Sequence, residues 1–183
     1  MSSFKPIKPE ILIPEVKIQN RVRELAREIE ADFGGVEGGA EIVAICTLKG
    51  SFIFFADLIR NLHVPVTCEF LGVSSYGDET VSSGEVKITL DLNAPLEGKN
   101  VLIVEDIVDS GLTAQFMRES LGARKPKSLK FCTLLLKPDS LKTDVQIDYT
   151  GFEIGNEFVV GYGLDYAQHY RGLPFIGFVK NEH

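Results

Sequence analysis

The stretch Val101-Leu102-Ile103-Val104-Glu105-Asp106-Ile107-Val108-Asp109-Ser110-Gly111-Leu112-Thr113 runs an apolar strand into three carboxylates and then into a small-residue turn that opens a helix. Residues 101–104 form a continuous apolar run after the turn-forming Gly98-Lys99-Asn100, as expected of a strand buried on both faces. A helix follows from about Thr113 to Leu121 and is closed by Gly122. Ligands of open α/β sheets bind beyond the carboxyl ends of the strands, which is where this pattern puts Glu105 and Asp106. The turn 109–113 offers unpaired backbone N–H groups, two hydroxyls and a helix N-terminus, and all of these favour a phosphate. Carboxylates repel a bare phosphate, so the ligand must also carry hydroxyl donors or a bridging divalent cation. A ribose 5-phosphate meets each demand.

Upstream, Ile18, Val22, Leu25, Ala26, Ile29 and Phe33 recur at helical spacing over residues 18–33, with Gly34 and Gly35 placed to stop the helix. Residues 42–48 form a short apolar strand, followed by Lys49-Gly50-Ser51 and a helix over 52–62 with Ser51 as N-cap. Apolar residues alternate at Val66, Cys68 and Phe70, and again at Val86, Ile88, Leu90 and Leu92, predicting two strands. Between them, residues 74–84 are small, polar and glycine-bearing, so a mobile excursion is expected. Residues 129–136 supply another buried strand, and 149–179 are strand-and-turn chemistry. Without repeats or linkers, residues 1–183 read as one α/β domain: a mainly parallel sheet flanked by helices, with a small appendage built from the termini.

Composition narrows the classes of function. A chain of 183 residues, 44% of them apolar, buries roughly 70% of its unfolded surface without a metal or disulfide staple. With 19 basic against 26 acidic residues the net charge is −7, which disfavours tracking nucleic acid. Cys46, Cys68 and Cys132 are odd in number, far apart and set in apolar runs, so they read as small hydrophobes in a reducing, cytoplasmic setting. No stretch reaches about 18 consecutive apolar residues, so no membrane partner is expected.

The strand–Glu-Asp-x-x-Asp-Ser-Gly-x-Thr pattern resembles the phosphoribosyl pyrophosphate signature of the type I phosphoribosyltransferases. With Glu leading the acid pair it is most similar to their hypoxanthine-guanine branch, and Leu112 is similar to its bacterial members. The resemblance extends from about Ile42 to Val179 and implies the type I phosphoribosyltransferase fold, with a hood formed from the terminal segments. It implies that Glu105 and Asp106 hold the ribose 2- and 3-hydroxyls. Asp109, Ser110, Gly111, Leu112 and Thr113 would wrap the 5-phosphate, with Asp109 also facing the purine's imidazole edge as general acid/base. Lys49 and Gly50, after a cis peptide, and Arg171 would bind pyrophosphate. Ser75 and Tyr76 would belong to a lid at about 74–85. Lys137 would donate to a 6-oxo group, Phe158 would stack on the base and the Val159 backbone would read its pyrimidine edge. Asp165, also at the purine, would join Glu105 and Asp106 as magnesium ligands. The implied partners are phosphoribosyl pyrophosphate and 6-oxopurine bases, and the implied assembly is a homodimer or homotetramer. Two segments depart from the pattern: Gly155-Asn156 stands where Pro-Asp is frequent, and Pro138-Asp139-Ser140 where many relatives are basic.

Other readings fare less well. A Walker-B-like metal site lacks its G-x-x-x-x-G-K-[ST] loop, and Gly161-x-Gly163 is followed by Tyr166 where a dinucleotide fingerprint needs glycine. A receiver module would carry its acidic pocket near the start of the chain, whereas here it begins after residue 100. A non-catalytic regulator of the same fold would need a basic face, and a xanthine-preferring transferase stays open as an alternative. His63, His169 and His183 have no metal-ligand spacing.

Overall fold

The computed structural model describes residues 8–35, 41–75 and 86–178. Its centre is a sheet in which β2 (Ile42–Leu48) and β5 (Asn100–Val108) lie side by side. β3 (Val66–Ser75) and β4 (Val86–Leu90) extend it on one side, β6 (Ser128–Leu136) and β7 (Tyr149–Glu153) on the other, in the order β4-β3-β2-β5-β6-β7. Every neighbouring pair is parallel except the antiparallel β3–β4 edge.

Residues 42–46 and 101–104 of the central strands are apolar because both their faces are covered. Ala44, Cys46, Leu102 and Val104 face a core completed by α1 (Glu15–Asp32) and α2 (Phe52–Arg60). Val43, Ile45, Val101 and Ile103 face the other way, against Ala114, Met117 and Leu121 of α3 (Leu112–Gly122). Alternate residues therefore belong to different cores, as the two-residue period of a strand requires. β1 (Glu10–Ile13), β8 (Val159–Val160) and β9 (Ile176–Phe178) form a separate antiparallel sheet in the order β1-β9-β8, the expected hood from both ends of the chain. Arg21 of α1 donates to the carbonyls of Thr150 and Gly151 at 2.9 and 3.2 Å, satisfying acceptors of the outermost strand β7.

Several local expectations are corrected. α1 starts at Glu15, because Pro14 is extended, with ψ 152°, and its carbonyl accepts from Lys17 and Ile18. Ser51 does not cap α2 with its side chain; wholly buried behind β2, its hydroxyl donates back to the Thr47 carbonyl at 2.5 Å. α2 ends at Arg60, two residues early. Gly122 is the last residue of α3, not its terminator, and the left-handed residue that reverses the chain is Lys125, with φ 56°. Cys46 and Cys132 are buried but Cys68 is exposed: the alternation at 66–70 marks a face that the chain leaves partly open, where Phe70 is 45% exposed and rests against Phe55. The lid region beyond Ser75 lies outside the described residues.

The side chain of Asp148, 5% exposed, closes the sheet at the β6–β7 end. One oxygen accepts from Arg118 and from the Phe131 amide at 2.8 Å, the other from Gln146 at 3.0 Å and lies 3.3 Å from the Lys130 ammonium. Asp148→Ala would strand two cations and an amide, so urea unfolding should show a stability loss of about 3 kcal/mol. A loss below about 1 kcal/mol would show the network to be dispensable.

Candidate active site

The site begins where two ladders of β5 end at different places. Pairing with β2 stops at Cys46↔Val104, whereas pairing with β6 continues to Val108↔Leu136. Glu105 and Asp106 therefore lie inside the strand, not beyond it, yet already have no β2 residue beside them. Thr47 bridges the last shared level, its hydroxyl donating to the Val104 carbonyl at 2.8 Å. β2 then leaves the sheet through the Leu48–Lys49 peptide, which is cis as the resemblance implied.

Glu105 Oε2 is buried without a hydrogen-bond partner. Burial, then the neighbouring Asp106 charge, holds its carboxyl well above the usual carboxylate range. Asp106 Oδ1 accepts from the Ile107 amide at 2.9 Å, and its Oδ2 lies only 1.6 Å from where a Cβ on Gly50 would stand. The glycine at 50 thus gives the Asp106 carboxylate its seat. Gly163, at φ 104°, packs as closely on the Gly50 carbonyl, 2.0 Å from a would-be Cβ, which fixes the Lys49-Gly50 turn against the 161–164 loop.

Beyond the acids the chain turns through Asp109 and Ser110 to Gly111, the residue ahead of α3, whose φ of 80° is left-handed. Leu141, Thr143 and Val145 stand 3.0–3.2 Å from where its Cβ would be, so a larger residue is excluded on two grounds. A cavity of about 210 Å³ is lined by residues 105–111 with Thr113 and Ala114; Leu112 opens α3 and does not line it. Acids on one wall and a helix N-terminus on the other match the requirements of a sugar phosphate.

A second cavity, of about 290 Å³, shares Asp106, Ile107 and Asp109 with the first and is completed by Lys137, Phe158, Val159, Leu164 and Asp165. Lys137 is 8% exposed, and its ammonium lies 3.1 Å from Asp109 Oδ2 rather than reaching for water. Phe158, 52% exposed, meets Tyr166 edge-on at 5.8 Å. Val159 is buried and paired with Phe178 in the hood. Sequence reasoning missed Leu164 and Ile107, whose apolar character gave no reason to separate them from the core.

Arg171 and Asp165 are paired at 2.6 Å. Arg171 also donates to the Gly163 carbonyl at 2.8 Å and to Gln168 at 3.1 Å, and the second Asp165 oxygen accepts from the Gln168 amide at 2.8 Å. Arg171 therefore clasps the loop next to Gly50. Lys49 is exposed on the turn itself. Among the described residues no three His, Cys, Asp or Glu side chains gather in a metal-holding group, so Asp165 does not meet Glu105 and Asp106 in one set. Ser75 closes β3, and Tyr76 lies outside the described residues.

A half-buried acid pair beside a helix start suited to an anion, on a mainly parallel sheet, defines a class of sugar-phosphate-handling α/β proteins. Residues 15–167 match the phosphoribosyl transferase domain family, and the chain belongs to it, with the type I fold. Within that family its relatives fall in the hypoxanthine and hypoxanthine-guanine branch. It is 49% identical to the hypoxanthine phosphoribosyltransferase of Salmonella typhimurium, over 92% of this chain and 93% of that one. It is 48% identical to the hypoxanthine-guanine phosphoribosyltransferase of Bacillus subtilis, over 93% and 92%. The crystal structure of a hypoxanthine-guanine phosphoribosyltransferase from Bacillus anthracis superposes with a TM-score of 0.88 at 51% identity, covering 96% of this chain and 100% of that one.

Two outcomes follow from the acid pair. Because the folded-state affinity of Glu105 for its proton is raised, its contribution to stability is complete below the ordinary value of 4.5 and is lost as pH rises through the folded value. Glu105→Gln should therefore gain stability over the parent, by an amount that widens from pH 4 to pH 8 in denaturant titrations; a gap independent of pH would contradict the shift. Gly50→Ala should fold normally yet lose ribose 5-phosphate affinity about tenfold or more, measured by calorimetry, because its methyl displaces Asp106.

Proposed function

We propose that this chain is a purine-salvage enzyme that transfers the 5-phosphoribosyl group of phosphoribosyl pyrophosphate to hypoxanthine or guanine, releasing pyrophosphate and forming IMP or GMP. One observation carries the reading: Asp109 stands at the junction of the two cavities, on the phosphate turn and in contact with Lys137. A ribose phosphate in the first cavity thus has its reacting carbon next to a base in the second.

The Asp109–Lys137 ion pair presents a carboxylate acceptor and an ammonium donor side by side. A 6-oxopurine offers the complement, a carbonyl for Lys137 and a ring N–H for Asp109, whereas the amino group of adenine would meet the ammonium donor against donor. Phe158 supplies the stacking face, and the Val159 backbone lies at the pyrimidine edge. As the bond from C1 to pyrophosphate lengthens, the sugar becomes oxocarbenium-like. Lys49 and Arg171 bring positive charge to the departing pyrophosphate. The purine nitrogen then bonds to C1 with inversion, pyrophosphate leaves with the bonding pair, and the purine proton passes to Asp109. Glu105 and Asp106 orient the sugar through its two hydroxyls.

The acids also suit magnesium, an oxygen-seeking ion, and the unpartnered Glu105 Oε2 is an available donor. Glu105 and Asp106 on one side and Asp165 on the other, which the protein alone does not bring into one group, would hold it only with oxygens of the substrate between them. An ion held there would offset pyrophosphate charge. Ser75 and Tyr76 belong to a lid at 74–85 that excludes water from the sugar cation. We read residues 1–183 as a single domain acting in the cytoplasm on small molecules, without nucleic acid or membrane. The exposed Phe52, Phe70 and Leu90 support assembly as a homodimer or homotetramer.

The test is nucleotide formation with phosphoribosyl pyrophosphate, magnesium and each of guanine, hypoxanthine, xanthine and adenine. Guanine and hypoxanthine should give product and adenine none; absence of product from every purine overturns the reading. Asp109→Asn should lower kcat by about a hundredfold or more, and wild-type turnover in that variant would remove Asp109 from its role.

A further inference from the structure

After β6, the chain from Lys137 to Val145 runs as a strap alongside the phosphate turn. The Lys137 amide donates to the Val108 carbonyl and the Lys142 amide to the Ser110 carbonyl, both at 2.9 Å. Thr143 donates to Gln115, while Leu141, Thr143 and Val145 press on Gly111. On its other side the strap reaches the purine cavity. Ser140, in a short 3₁₀ turn at Pro138–Ser140, donates from Oγ to Asn156 Oδ1 at 2.7 Å. Asn156 precedes Phe158 by two residues, in a turn where positions 155–158 are all exposed. The turn is anchored before it by the Ile154 amide on the Leu136 carbonyl, and after it by Val159 in the hood. Gly155 in between gives this backbone more freedom than most residues would.

We propose that Ser140 and Asn156 are positioning residues that hold Phe158 over the purine cavity, making the strap a shared wall of the phosphate and base sites. The two segments that depart from the family pattern, Pro138-Asp139-Ser140 and Gly155-Asn156, are the ones this hydrogen bond joins. One departure thus offsets the other: a glycine loosens the turn, and the serine opposite refastens it. The pair touches no reacting atom, so its removal should weaken capture of the base and leave chemistry and sugar-phosphate binding alone. This rests on the purine reading of the second cavity.

The experiment measures kcat, the KM for guanine and the KM for phosphoribosyl pyrophosphate in the full chain with magnesium, for Ser140→Ala, Asn156→Ala, their combination and Ser140→Thr. A partly exposed hydrogen bond of about 1 kcal/mol corresponds to a rise of about fivefold in the guanine KM. Each single variant should show that rise with kcat and the other KM unchanged, the double variant should be no worse than either, and Ser140→Thr should restore the parent value. Amide hydrogen exchange over 152–159, which needs no turnover, should quicken about fivefold in both alanine variants. Unchanged exchange, an unchanged guanine KM, additive effects or an equal fall in kcat would each overturn the proposal. If the parent makes no nucleotide but exchange quickens as stated, the fastening stands and the functional reading is what fails.

Discussion

The difference in length between the two ladders of β5 is the constraint on which the site depends. If β2 paired as far as β6 does, Glu105 and Asp106 would be covered by another strand, out of reach of any ligand and costly to bury. Because β2 departs after Cys46↔Val104, the acids keep the rigidity of a paired strand on one side and gain an opening on the other. Rigid placement matters: a carboxylate that must meet a sugar hydroxyl within a fraction of an ångström is better held by a strand than by a loop. The cost remains visible in Glu105, whose buried oxygen has no partner within the protein.

That opening is held in shape by contacts between backbones more than by side chains. Asp106 occupies the space a Cβ would take on Gly50, and the Gly50 carbonyl occupies the space a Cβ would take on Gly163. A shift of either turn would be felt at the acids. Tyr162, between Gly161 and Gly163, secures this stack from behind: its hydroxyl donates to Asp57 of α2 at 2.6 Å, and Gln19 of α1 donates to the same oxygen at 2.9 Å. Burial, then the Asp57 carboxylate, pushes the Tyr162 phenol above its ordinary range, so it stays a donor. The loop beyond needs such support, since Tyr162, Ala167, Gln168 and Tyr170 all hold φ between 49° and 72°. Each costs of order 1 kcal/mol relative to ordinary backbone, and such cost persists only where surrounding contacts impose it.

The sequence was most legible where one physical cause dominated. β2 is a run of apolar residues because both faces are covered, and its limits follow from the run itself. The phosphate turn was legible because its groups are contiguous, so local chemistry alone implied a ligand. β5 reads as ending at Val104 because its apolar run stops there, but the partner strand β6 decides, and it continues to Leu136. Ser51 does stand at the N-terminal boundary of α2, but its hydroxyl is taken by the Thr47 carbonyl, and the reversal after α3 falls on the left-handed Lys125, three residues beyond Gly122. The base cavity was legible only through resemblance, since Lys137, Phe158 and Asp165 come from separate segments and none is distinctive locally. Leu164 and Ile107 were missed for the same reason.

The Lys137–Asp109 pair shows how a site can be ready for its ligand without being stiffly committed to an empty form. An ammonium as enclosed as that of Lys137 is costly to bury without a counter-charge. Asp109 supplies one, and its own side chain, 57% exposed, stays partly hydrated. On the proposed reading, an arriving 6-oxopurine exchanges one partner at each end while both charges remain compensated. Little desolvation is then left for binding to overcome, because folding has already enclosed the lysine. A purine with a donor at position 6 would have to leave that enclosed cation facing another donor, and the penalty of an unmatched buried charge exceeds anything stacking on Phe158 could return. Selection for the oxo group thus follows from where the lysine is buried, and it operates before any bond is made or broken.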